Sequence, residues 1–237
     1  MARGILDRLF PWSCLGCGQA DSSPLCPVCL ARVGWITGPC CLRCGIPLGS
    51  LPERVCGRCL IDPPCFRQLR AVACYRSSHE DHDPLGSALR TLKYAARRAL
   101  AAPLSRILAE RLPFARDEHD VIAPVPLHLA RLRERGFNQA LLLAREPAAR
   151  LGVAIDARLL VRTRATAPQV GLGEAERRQN LRAAITVRSD RRVEGLRILL
   201  VDDVCTTAAT ADACSRALLA AGAAAVDVAV LTRALLR

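Results

Sequence analysis

Asp202 and Asp203 close an apolar run and open a hydroxyl-rich turn, Arg197-Ile-Leu-Leu-Val-Asp-Asp-Val-Cys-Thr-Thr-Ala-Ala-Thr210, that leads into an alanine-rich stretch. Residues 198–201 have the composition of a strand buried on both faces, as in parallel sheets. The acid pair is then expected at its carboxyl end, where open α/β sheets bind ligands. Two carboxylates there can accept hydrogen bonds from vicinal sugar hydroxyls. Thr206, Thr207 and Thr210, with the backbone of Ala208 and Ala209, start a helix predicted over 209–221, whose free N–H groups and positive dipole end favour a phosphate.

A second chemistry lies at the front of the chain. Of 13 cysteines, eight fall into four Cys-x2-Cys knuckles: Cys14 and Cys17, Cys26 and Cys29, Cys41 and Cys44, Cys56 and Cys59. An odd cysteine count without an export signal argues against a disulfide framework, whereas paired knuckles suit tetrahedral Zn²⁺. Eight thiolates make two closed, structural sites, although spacing alone leaves open which four share an ion. Cys40, Cys65, Cys74, Cys205 and Cys214 lack a second partner at that spacing and read as small buried hydrophobes.

Placing these residues requires an α/β fold. Strands are predicted over 70–75, 121–124, 158–162, 184–187, 198–201 and 226–231, and helices over 85–94, 101–112, 137–151 and 209–221. Pro147 should kink or end the third helix, and Gly222 suits a helix C-cap. Alternating strands and helices imply a parallel sheet covered on both faces. Residues 1–68, rich in Cys, Pro and Gly, are expected to form a zinc-cored module, and 69–237 the larger domain.

Composition sets further bounds. The chain is 51% hydrophobic and 3% aromatic, with a net charge of +12 carried by arginine, since Lys93 is the sole lysine. Guanidinium groups in surplus attract phosphate, whether on small substrates or on nucleic acid. No apolar run approaches a membrane span and no signal peptide is evident, so a cytoplasmic location is expected. His79, Asp81, His82 and Asp83, beside Glu80, lie in a polar loop and are read as solvated rather than as a metal site.

The acid pair and threonine turn resemble the phosphoribosyl-pyrophosphate (PRPP) signature of type I phosphoribosyltransferases. A receiver domain shares Leu-Val-Asp-Asp, but too little chain follows Asp203 to complete one. The whole chain resembles the ComF family, which joins a double zinc ribbon to a phosphoribosyltransferase domain. Further matches are Leu92-Lys93-Tyr94, Pro124-Val-Pro-Leu-His128, Arg133-Glu-Arg-Gly-Phe-Asn-Gln139, Gln169-Val-Gly-Leu172 and Ala175-Glu-Arg-Arg-Gln-Asn-Leu-Arg182.

The resemblance implies a parallel-sheet, Rossmann-like phosphoribosyltransferase domain in which Asp202 and Asp203 hold the ribose hydroxyls and the turn over 206–210 holds the 5′-phosphate. Arg131, Arg133, Arg135 and Gly136 would form the pyrophosphate loop, Lys93 would reach a phosphate, and Gln169, Arg177 and Asn180 would close over PRPP and its Mg²⁺. Asp202, Asp203 and Arg135 are the candidate catalytic residues, and the acceptor, whether base, amine or water, stays open. The alternative implied function is a non-catalytic accessory of DNA uptake that binds nucleotide and single-stranded DNA. Ala208 and the pair Ala95 and Ala96 stand where the family usually has glycine. Ala208 is expected to take ordinary helical geometry as part of the first turn of its helix.

Overall fold

A computed structural model describes residues 12–21, 23–52, 54–75, 83–95, 97–163 and 184–235. The expected contacts Gln169, Arg177 and Asn180, and the loop residues 79–82, lie outside the described residues.

Five strands form a wholly parallel sheet in the order β3-β9-β8-β4-β5. They are β3 (Gln68–Tyr75), β4 (Val121–Pro124), β5 (Ala154–Ile155), β8 (Arg197–Cys205) and β9 (Ala225–Ala234). Two further strands, β6 (Leu160–Arg162) and β7 (Ile185–Val187), were expected within that sheet. They pair antiparallel with each other instead, as a separate ribbon.

Helices α3 (Pro84–Tyr94) and α4 (Ala101–Arg111) cover one face. Leu85, Leu89 and Leu92, at three- and four-residue spacing, share a buried cluster with Leu104, Leu108, Leu199 and Leu231, as an amphipathic stripe requires. The other face packs Ile198, Leu200 and Val228 against Leu218 of α8 (Ala209–Ala220) and Ile185 of the ribbon. Asp83, in the polar loop of the sequence reading, is the N-cap of α3 and accepts from the Gly86 N–H at 3.0 Å.

The helix predicted over 137–151 is two helices, α6 (Gln139–Leu143) and α7 (Arg145–Leu151). Pro147 cannot donate to the Leu143 carbonyl. The buried Ser105 hydroxyl on α4 donates to that carbonyl at 2.8 Å and accepts from the Glu146 N–H at 3.0 Å, so both groups at the break are satisfied. Gly222 (φ +98°) follows the C-cap Ala221 rather than being the cap itself.

The front of the chain has a two-stranded ribbon, β1 (Trp12–Ser13) and β2 (Ala20–Asp21), and two short helices, α1 (Pro27–Ala31) and α2 (Gly57–Ile61). It is bonded to the sheet. Ile36 N–H donates to Val72 O at 3.0 Å, and Cys74 N–H to Gly34 O at 2.8 Å, around an antiparallel bridge between Trp35 and Ala73. Leu69 N–H donates to Arg43 O at 2.7 Å. No helix among the described residues is long and apolar enough to cross a membrane.

Candidate functional site

Strand β8 does not stop before the acid pair, as the apolar run suggested. It continues through Asp202 and Asp203 to Cys205, because β9 goes on pairing with it as far as Cys205 opposite Arg233. Its other neighbour, β4, ends at Pro124 opposite Val201. From Asp202 onward β8 therefore has an open flank, and at this end of the strand Asp202, Cys205, Thr206, Thr207, Thr210 and Val230 line a crevice.

Three charged side chains meet at this point. Lys93, near the end of α3, forms an ion pair with the buried Asp203 carboxylate. Asp202 accepts from the Asp203 backbone N–H at 2.9 Å. Burial holds the Asp202 carboxyl well above the ordinary carboxylate range, and the Asp203 charge pushes it the same way. The pair thus sits on one fixed cation and resists carrying its second negative charge until something else supplies positive charge or donors.

The turn that follows corrects one expectation. Ala208 is left-handed, with φ +66° and ψ 5°, and is the N-cap of α8 rather than part of its first turn. Between the end of β8 at Cys205 and the start of α8 at Ala209 the chain changes direction, and Ala208 does so at positive φ. Thr207 Oγ1 accepts from the Ala209 N–H at 3.4 Å and so occupies one free donor of the helix start. A left-handed alanine costs roughly 1–2 kcal/mol. Ala208→Gly is therefore expected to stabilise the fold by about 1 kcal/mol after glycine's own unfolded-state entropy. Urea unfolding of the two proteins checks this, and no gain would mean that the turn is not strained at alanine.

The expected pyrophosphate loop is largely helical. Arg131, Arg133 and Arg135 lie on α5 (Leu129–Arg135), with His128 as N-cap and Gly136 left-handed at φ +75° after its end. Arg133 and Arg135, in the last turn of this helix, suit the negative end of its dipole. A Cβ on Gly136 would come within 3.0 Å of the Arg98 guanidinium, which itself donates to Gly136 O at 2.6 Å. Arg135 donates to Gln139 Oε1 at 2.6 Å and lies 5.9 Å from the centroid of the exposed Tyr94 ring. Arg135 thus contacts the C-terminal end of α3, the helix that carries Lys93.

Sequence reasoning missed Arg162, at the end of β6. Burial lowers its pKa; the Cys214 thiol opposes that shift, the Arg131 charge adds to it and Asp202 opposes it. It belongs to the electrostatic surroundings of Asp202. A guanidinium closing a short strand carries no sequence signal of that role, because the ribbon that presents it forms only through pairing with β7.

The eight knuckle cysteines form two clusters, Cys14, Cys17, Cys26, Cys29 and Cys41, Cys44, Cys56, Cys59, with all sulfurs of a set within 4.8 Å of one another. Backbone N–H groups of Gly16 (3.4 Å) and Cys26 (3.3 Å) donate to Cys14 Sγ, and those of Cys44 (3.5 Å) and Cys56 (3.3 Å) to Cys41 Sγ. Burial pushes the Cys14 thiol up, but donation from Cys26 and Gly16 outweighs it and brings the thiol down to about 6. Burial and the neighbouring thiols push Cys29 up to about 12. Four such sulfurs cannot all ionise without a cation among them, so the donor set fits Zn²⁺. Gly16 is required for closeness: a Cβ there would lie 2.5 Å from Cys29 Sγ.

Comparison with known proteins gives a matching picture. A family model described as a double zinc ribbon domain matches residues 5–60. The DNA utilization protein YhgH of Salmonella typhi is 38% identical over 216 residues, spanning 89% of this chain and 91% of that protein. Competence protein F of Haemophilus influenzae is 29% identical across 96% of this chain and 99% of its own length. Competence protein ComFC of Bacillus subtilis is 29% identical across 85% of this chain and 80% of its own. Among solved structures, adenine phosphoribosyltransferase from Thermoanaerobacter pseudethanolicus aligns with 65% of this chain and 86% of its own at 20% identity. The TM-score of that alignment is 0.37.

Proposed function

The chain belongs to the ComF family, that of the DNA utilization protein YhgH and the competence proteins, and from that premise we propose that its crevice binds PRPP with Mg²⁺ and transfers the phosphoribosyl group to an acceptor. The observation that carries this reading is the succession on one strand end of an acid pair, with Lys93 on Asp203 alone, and a threonine turn that starts a 12-residue helix. In it, Thr206, Thr207, Thr210 and the N–H groups of Ala208 and Ala209 hold the 5′-phosphate, the Ala209 N–H exchanging its Thr207 Oγ1 partner for the ligand. Asp202 and Asp203 accept from the ribose hydroxyls. Arg131, Arg133 and Arg135, with the backbone at Gly136, face the pyrophosphate, and Gln169, Arg177 and Asn180 close over it.

Displacement at ribose C1 passes through a loose, cationic transition state. The residues then contribute positioning and stabilisation of the charge on the departing pyrophosphate, a role assigned to Arg135. Mg²⁺ would supply neutralisation of the pyrophosphate oxygens. Bidentate guanidinium pairing suits the same anion.

Calorimetry of PRPP binding is expected to require Mg²⁺ and to weaken about 5- to 150-fold in Thr207→Val and in Asp203→Ala, the equivalent of about 1–3 kcal/mol for polar ligand atoms left unpaired. Unchanged affinity in both variants would falsify the reading.

The relatives' names and the arginine surplus favour a second reading, a cytoplasmic accessory of DNA uptake that binds single-stranded DNA. Tyr94, 76% exposed beside Arg135, offers a face for a base. Gel-shift titrations are expected to show steep salt dependence and little sequence preference. No binding at low salt would remove this second reading.

A further inference from the structure

Arg233, near the end of β9, is 2% exposed and is among the largest fully buried side chains. Its charge is met by backbone carbonyls from two distant parts of the chain. Nε donates to the carbonyl of Cys44 at 3.2 Å, and Nη1 donates to the carbonyls of Cys205, at 3.1 Å, and Thr206. Cys44 belongs to the second cysteine cluster, and Thr206 opens the threonine turn. One rigid guanidinium therefore spans the two. Burying this charge is costly unless its donors are satisfied, so the carbonyls on both sides have a defined place to be.

The turn needs such an anchor. Ala208 is held at positive φ, which the residue does not favour by itself. Behind the turn a narrow pocket, lined by Cys44, Cys59, Thr207, Ala208, Asp212 and Arg233, separates it from the second knuckle. The Cys44 carbonyl, in turn, is fixed by the knuckle that its own sulfur closes. With the four sulfurs drawn onto one ion the knuckle has one arrangement; without the ion nothing ties the four sulfurs together, and the carbonyl is less constrained.

We propose that Arg233 is a positioning residue of the candidate site, holding the threonine turn against the second knuckle so that metal occupancy at Cys41, Cys44, Cys56 and Cys59 and phosphate binding in the crevice are thermodynamically linked. Linkage is reciprocal: what tightens one end tightens the other by the same factor. The first cluster, Cys14 to Cys29, has no such bridge among the described residues and serves as the internal control. The ligand side of this inference rests on the PRPP reading above; the connection between knuckle and turn does not.

Amide hydrogen exchange of the zinc-loaded full chain, followed over residues 206–210, tests the connection directly. Cys56→Ser, which opens the second cluster, is expected to speed exchange of the turn at least fivefold, and Cys17→Ser, which opens the first, to leave it unchanged. Arg233→Lys is expected to speed it while both zinc ions, measured by elemental analysis, stay bound, since an ammonium cannot reproduce the fork between Cys44 and Thr206. Unchanged exchange in Arg233→Lys, or equal acceleration from Cys17→Ser and Cys56→Ser, would overturn the proposal.

Calorimetry with PRPP and Mg²⁺ adds the ligand arm. Affinity is expected to fall at least fivefold in Arg233→Lys and Cys56→Ser but not in Cys17→Ser. If the wild-type protein binds no PRPP, the functional reading fails, and the exchange result still decides the connection. If it binds PRPP with equal affinity in all three variants, the linkage is wrong and the functional reading stands.

Discussion

Elemental analysis of protein purified without added metal is expected to find two equivalents of zinc per chain. Cys14→Ser and Cys41→Ser are each expected to reduce this toward one. The reason is electrostatic as much as geometric. Each cluster confines four sulfurs within 4.8 Å, with Cys14 brought down to about 6 by backbone donors and Cys29 pushed up to about 12 by burial and its neighbours. A set in which one thiol ionises readily and another scarcely at all is half of a binding site, completed by a dication. Structural zinc contributes on the order of 10–16 kcal/mol to small cysteine-rich modules at neutral pH. Residues 12–67 bury too little apolar surface of their own to survive that loss. A strong chelator is thus expected to melt the front of the chain before the parallel sheet, seen as early loss of exchange protection at the Cys26 and Cys41 amides. Zinc content of one equivalent or none would contradict the double ribbon.

The features legible in the sequence are those whose determinants are local. Knuckle spacing, the apolar run over 198–201 and the stripe of Leu85, Leu89 and Leu92 each state their structure within about a dozen residues. What escaped depends on contacts between distant segments. The strand through Asp202 and Asp203 looks terminated because two acids are poor strand formers, but β9 offers partners as far as Arg233 and the backbone ladder continues. The break at Ala144 needs Ser105, on another helix, to be satisfied. Arg233 lies beyond the strand predicted over 226–231, and its partner Cys44 is 189 positions away. No window of sequence contains both. The left-handed Ala208 has a partial signal, since the family places glycine there, but a following alanine-rich helix is equally compatible with the ordinary geometry that was expected.

Two substitutions at the acid pair are expected to change stability in opposite directions while both weaken ligand binding. Lys93→Met leaves the Asp203 carboxylate buried without its cation, at a cost of about 1–3 kcal/mol. Asp202→Asn removes a carboxyl that burial and the Asp203 charge hold well above its ordinary value of 3.8. A carboxyl raised in the folded state favours folding at low pH, and the fold loses stability as pH climbs from the unfolded value toward the folded one. At neutral pH wild-type Asp202 is therefore a burden on the fold, and asparagine, keeping the shape without the charge, should gain about 0.5–2 kcal/mol, the range of other single relaxations of strained sites. The gain should shrink as pH is lowered toward 3.8 and vanish below it, where wild-type Asp202 is protonated in both states and resembles the amide. Urea unfolding of the wild type and the two variants at pH 7 and near pH 4 reads both signs. An Asp202→Asn protein no more stable than wild type at pH 7 would mean that the second negative charge is already compensated in the free protein. The crevice would then lack the unmet demand for hydroxyl donors that makes an acid pair a sugar site.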